Sequence, residues 1–151
     1  MSIEANKSVV RRLIEAANIG DHDRAKGLLS ADYIDHSAPP GFPSDPAAFT
    51  QTISTFRAAS PDFYWTLDDI VAEKDRVVLR VTARGTHQGE LMGIPPTGKR
   101  VAIDGIGLYR PSEELIAEAW VRRDLLGLTQ QLGAVPSPAA SPPHEVSASC
   151  Y

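Results

Sequence analysis

Few residue groupings in this chain are able to move a proton, and the first is Tyr33-Ile34-Asp35-His36. A carboxylate beside an imidazole can serve as an acid–base pair if both reach one site. Along an extended segment, neighbouring side chains point to opposite sides, so one of Asp35 and His36 faces inward and the other outward. The alternative is a loop carboxylate next to a solvated or capping histidine. The second grouping is Thr86-His87-Gln88, at the end of a strand whose apolar positions include Val81 and Ala83. Continued alternation carries Gly85 and His87 onto that face, and a histidine at the mouth of an apolar cavity can shuttle protons near neutral pH. His87 otherwise reads as a histidine hydrogen-bonded into the adjoining loop. A third segment puts Glu118, Trp120, Arg122 and Asp124 on one face and Ala119, Val121 and Arg123 on the other. Asp124 precedes a helical stretch and fits an N-cap, while Trp120 reads as core or subunit interface. Asp68, Asp69 and Asp104 read as surface or turn carboxylates.

Other chemistries lack their signatures. His22 falls in a short helix and His144 near the end of the sequence, with no histidine pair or carboxylate cluster at metal-ligand spacing. The glycines of GELMGIPPTGK do not follow a phosphate-loop pattern, and no nucleophile elbow is present. No cofactor and no metal are therefore expected. The single cysteine, Cys150, excludes an internal disulfide and a cysteine zinc cluster. A net charge of −4, with Arg11-Arg12 and Arg122-Arg123 only in pairs, weighs against nucleic acid, which needs a concentrated basic face. No apolar run approaches the roughly 20 residues that cross a bilayer. The charges of MSIEANKSVVRRLIEAANIG lie inside a helical pattern rather than ahead of an apolar block, so a soluble cytoplasmic protein is expected.

The elements that must position these groups follow from periodicity. Val10, Leu13, Ile14 and Ala17 recur at the spacing of one buried helix face. Asp21 can cap a second short helix that turns Ala25, Leu28 and Leu29 inward. Four prolines in ADYIDHSAPPGFPSDP exclude regular structure after His36. Ser44 or Asp45 can then cap a helix with Pro46 in its first turn and Phe49, Ile53 and Phe56 on one face, ending at Ser60-Pro61. Beyond Pro61 the period becomes that of strands: FYWTLDDIVAE, RVVLRVTARGTH, RVAIDGIGLYR and LIAEAWVRRD. GELMGIPPTGK, between the second and third, can fold over an opening. Helices first and strands afterwards give an α+β fold: N-terminal helices on a mainly antiparallel sheet, curled enough to leave a pocket. At 151 residues one domain is expected, over residues 1–133, with a Pro/Ser-rich C-terminal tail over 134–151.

With these clusters placed, the chain resembles the SnoaL-like polyketide cyclases, also called ester cyclases, of the nuclear transport factor 2-like superfamily of cone-shaped α+β domains. The resemblance runs from Asn6 to Gly133 and is carried by VRRLIEAANIGD, ADYIDH, GTHQGELMGIPPTGKRV, Asp124, Gly127 and Gln131-Leu132-Gly133. It implies cofactor-free catalysis by side chains, in which a carboxylate base removes a proton and polar groups stabilise the enolate. By motif register the resemblance puts that base at Val121, its histidine partner at Ala119, a glutamine and a histidine at Gly105 and Gly107, and an asparagine at Asp35. Four polar wall positions have thus become small or apolar here. Under the resemblance the catalytic candidates are Asp35, His36 and His87, with Tyr33 and Tyr109 as donors. Gly105 and Gly107 widen one wall, and Ala119 and Val121 complete the lining. The reading is a cyclase-type enzyme, whether closing a ring, isomerising, dehydrating or opening an epoxide, acting on a hydrophobic polyketide-like molecule. The alternative is a non-catalytic binding or dimeric interaction domain of the same fold. A homodimer through the outer sheet face near Trp120 is expected in either case.

Overall fold

The Ser2 hydroxyl accepts the Ala5 N–H at 3.0 Å and starts α1 (Ile3–Ile19), which stops at Gly20 in the left-handed region at φ 71°. In the computed structural model, residues 2–135 other than 39 and 42 are described. The expected tail, with Cys150, lies outside the described residues from residue 136 onward. The predicted stripe of α1, Val10, Leu13, Ile14 and Ala17, is buried, and Val9 and Ala16 join it on the core face. Sequestering one such leucine or valine stabilises the fold by about 1.5–3 kcal/mol, so this face anchors the helix against the sheet.

Asp21 caps α2 (His22–Gly27) by accepting the Arg24 N–H at 3.0 Å. Here the chain departs from the periodicity. Leu29, expected on this helix, instead begins β1 (Leu29–Asp35). Ala31 and Asp32 are poor strand formers, yet the segment finds the open edge of a strand near the other end of the domain, and that tertiary pairing overrides local preference. Next come α3 (Pro46–Ala59), β2 (Tyr64–Glu73), β3 (Arg76–Thr86), β4 (Arg100–Ser112), β5 (Leu115–Arg123) and α4 (Leu125–Gln131). Asp124 is the N-cap of α4, accepting the Gly127 N–H at 2.8 Å.

The five strands form one open sheet in the order β1-β5-β4-β3-β2. The β2–β3, β3–β4 and β4–β5 pairs are antiparallel, and β1 runs parallel to β5 at the edge. The fold is the α+β arrangement expected, with one strand more than the sequence pattern revealed. Register sets the inner face: Val81 pairs with Gly105, Leu79 with Gly107 and Gly107 with Val121. Because side chains alternate, Leu79, Val81 and Ala83 of β3 share that face with Ile103, Gly105, Gly107 and Tyr109 of β4. Helices α1 and α3 close over it, and between them and the sheet a cavity remains.

Candidate active site

The cavity lies between the concave sheet face and the helices and is lined by residues of both. Its floor is aromatic. Phe56 stacks on Phe63 at 5.3 Å, Phe63 meets Trp65 edge-on at 5.2 Å, and Phe49 lies 6.4 Å from Trp65. Such a wall suits a flat apolar ligand.

Strand alternation supplies the polar groups. On β1, Tyr33 and Asp35 turn inward and line the cavity, whereas Ile34 is exposed on the opposite side. The Asp35 carboxylate accepts the Ser37 N–H at 2.8 Å, and its backbone N–H donates to the Ser44 carbonyl at 2.7 Å. Ser37 in turn accepts the Val121 N–H. The aspartate is thereby held at the sheet edge by the turn that follows it. Across the sheet, Tyr109 on β4 and Arg123 on β5 face the same space. Burial raises the Tyr33 phenol far above its ordinary value, with Tyr109 and Asp35 adding to the rise and Arg123 opposing it. Burial likewise pushes Tyr109 up to about 12, against the pull of Arg123 and with the push of Asp35. Both phenols are therefore protonated donors throughout the neutral range, beside one carboxylate and one guanidinium.

A second chamber adjoins the first, lined by Pro43, Gln51, Leu91 and Met92 among others. Asp35, Thr52, Phe56 and Arg123 border both and so form the neck between them. Leu91 and Met92 belong to the connection after β3, which arches over this opening and is pinned by a short bridge from Leu91 to Ile94.

Of the residues singled out by sequence, the structure brings Tyr33, Asp35, Gly105, Gly107, Tyr109 and Val121 to the cavity. Two histidines need correction. His36 points to the outer face, as alternation next to an inward Asp35 requires. Its ring stacks on Trp120 at 4.6 Å with the planes 9° apart, and its Nε2 lies 3.5 Å from the Glu118 carboxylate. His87 is 1% exposed but does not line the cavity. Its Nδ1 accepts the Thr97 N–H at 3.2 Å and shares a 2.9 Å hydrogen bond with the Thr97 hydroxyl. The neutral ring thus carries its proton on Nε2, a buried atom without a partner among the described residues. The backbone N–H of His87 donates to the Lys99 carbonyl and its carbonyl accepts from the Gly98 N–H, which with the ring's bonds to Thr97 makes the histidine a clasp for the loop. Ala119 faces inward but is fully buried in the core beyond the cavity wall, opposite Tyr109.

The expected widening at the glycines is also altered. A Cβ on Gly107 would lie 2.7 Å from the Tyr109 ring, so the phenol occupies the room that this glycine leaves. A Cβ on Gly105 would lie 2.9 Å from the Arg122 carbonyl oxygen. The residue that sequence reading passed over is Arg123. Counted with Arg122 only as one of the paired arginines, it ends the inward series Ala119, Val121, Arg123, and a cation at the end of an apolar face was the available signal. Among the described residues, no three of His, Cys, Asp and Glu gather as metal ligands.

The profile of the SnoaL-like polyketide cyclases matches residues 7–132. The chain belongs to this family. It is 30% identical over 129 residues to the aklanonic acid methyl ester cyclase DnrD of Streptomyces peucetius, covering 83% of this chain and 88% of the relative. Among solved structures it is similar to AclR of Streptomyces galilaeus, described as a candidate hydroxylase, with a TM-score of 0.82 and 29% identity over 95% of this chain and 88% of that one. IdmH of Streptomyces antibioticus, described as a candidate polyketide cyclase, superposes with a TM-score of 0.77 at 32% identity over 85% and 98%. Membership accounts for the helix-covered concave sheet. No helix among the described residues is long and apolar enough to cross a membrane.

Proposed function

We propose that this SnoaL-like protein is a cofactor-independent, cyclase-type enzyme that acts on a hydrophobic polyketide-like molecule by side-chain acid–base catalysis, with Asp35 as the base. The observation that carries this reading is the convergence of Asp35 with two protonated tyrosines on an aromatic cavity. A carboxylate at an apolar wall can take a proton from carbon next to a carbonyl, and the phenols can donate to oxygen. Val121 stands where the resemblance puts the family's base, so proton removal would be transferred to β1. Ring closure is the reaction favoured by the named relatives; isomerisation, dehydration and epoxide opening use the same kind of groups.

A second reading, a binding domain without chemistry, is favoured by the apolar Val121 and by the absence of His36 and His87 from the cavity. Aklanonic acid methyl ester, the compound in the relatives' name, and simpler aryl β-keto esters separate the two. Turnover followed by chromatography, reduced by about 10²-fold or more in Asp35→Asn with ligand binding retained, supports the enzyme. Binding with no product, unchanged by Asp35→Asn, would leave the binding domain standing. The same proposal includes a homodimer through the outer face near Trp120, where Ile106 is 55% exposed. A sedimenting species of monomer mass at micromolar concentration would remove that part.

A further inference from the structure

Three arginines among the described residues are neither fully exposed nor fully buried: Arg57, Arg110 and Arg123. Arg57 donates to the carbonyls of Ala17, at 3.0 Å, and Asn18. Arg110 donates to Glu118 at 2.6 Å. Arg123 has neither an ion pair nor a side-chain hydrogen bond with any described residue, although Asp35 borders the same two chambers. A partly desolvated guanidinium without a partner loses hydration that, here, no described residue replaces. Its five N–H donors in a planar fork match an oxygen that carries negative charge. The cavity neck therefore holds a carboxylate and a guanidinium that form no ion pair with each other and border the same two chambers.

We infer that Arg123 is the oxyanion-binding residue of the site: it receives a substrate oxygen that is ionised, or becomes so, at the neck between the two chambers. This deepens the reading of Asp35 as base and rests on it. The ligand class is then a flat apolar ring system bearing an enolisable carbonyl or an acidic hydroxyl, with the ring in the inner chamber and the remainder in the outer. In the step this assigns, the substrate C–H bond breaks and its proton passes to the Asp35 carboxylate. The C–H electron pair forms the new C=C bond and the carbonyl π pair moves onto the oxygen, to which the Arg123 guanidinium donates hydrogen bonds.

The test uses 2-naphthol as an enolate mimic and 2-methoxynaphthalene as its non-ionising counterpart, titrated with the full-length protein. Naphtholate has its own absorbance and fluorescence, so ionisation of the bound probe is read directly. The expected result is that bound 2-naphthol ionises about 1 pH unit or more below the free molecule, as a cation within a few ångströms requires. The shift should vanish in Arg123→Gln and survive in part in Arg123→Lys. It should be larger in Asp35→Asn, where the repelling carboxylate is gone, and vanish again in Asp35→Asn/Arg123→Gln. If both probes bind but no shift occurs, or the shift persists in Arg123→Gln, the inference falls and the aromatic pocket stands. If neither probe binds the wild-type protein, the reading of a pocket for apolar ring systems falls and takes the inference with it. Should Arg123→Gln fail to fold, the wild-type shift and its reduction in Arg123→Lys still decide the matter.

Discussion

The two faces of the β1–β5 edge carry nearly the same residue types and put them to different ends. On the inner face stand Asp35, Tyr33, Tyr109 and Arg123; on the outer face stand His36, just past the end of β1, Glu118 and Trp120 of β5, Arg110 of β4 and Arg76 of β3. The outer group is closed upon itself. Arg110 donates to Glu118 at 2.6 Å, His36 lies 3.5 Å from the same carboxylate, and Arg76 sits 5.4 Å from the Trp120 ring centroid that His36 also stacks against. Its Glu118 carboxyl is held below the ordinary range, mainly by the Arg110 hydrogen bond. On the inner face the cation and the carboxylate stay apart. Charges already satisfied by one another are structural, and those left facing empty space are available to a ligand.

That contrast can be broken most directly by exchanging neighbours. Asp35→Asn should lower turnover by about 10²-fold or more, whereas His36→Ala should change it less than about twofold, since an exposed pair contributes little. Steady-state kinetics on one substrate checks both, and equal losses would erase the distinction between the faces. A smaller effect is expected at the loop clasp. His87→Ala strands the Thr97 N–H and hydroxyl, which should destabilise the protein by about 1–3 kcal/mol in urea unfolding and weaken retention of ligand under Leu91 and Met92. The smallest concerns alkaline pH. The unfolded chain ionises Tyr109 near the ordinary phenol value, while the folded protein holds its proton up to about 12. The unfolded state therefore binds fewer protons above that ordinary value, and stability falls as pH rises from there toward 12. Melting temperatures measured across this window should drop more shallowly in Tyr109→Phe.

Much of this arrangement is readable from residue order. Alternation at Asp35-His36 required that one face in and the other out, and alternation through Ala119, Val121 and Arg123 placed them together. Strand β1 was not readable, because Ala31 and Asp32 have no strand preference and the segment is ordered by pairing with β5, far along the chain. Neither was the fate of His87: continued alternation carried it inward, but the chain leaves the sheet at Thr86, and its ring is turned by bonds to Thr97 that no local period encodes. The neck fails for a different reason. Nothing in a string of residues shows that Arg123 lacks a partner among the described residues, since that is a statement about every described carboxylate it does not meet.

The contact between Gly107 and the Tyr109 ring constrains how this pocket can diversify. A first substitution at position 107 meets an obstacle 2.7 Å away, on a phenol that is itself packed into the core. A change at 109 to a smaller side chain meets none. Any lineage that acquires a polar group at 107 must therefore reduce 109 beforehand, so the two sites are epistatic with a fixed order. Laboratory evolution of new chemistry in this cavity should begin at Tyr109.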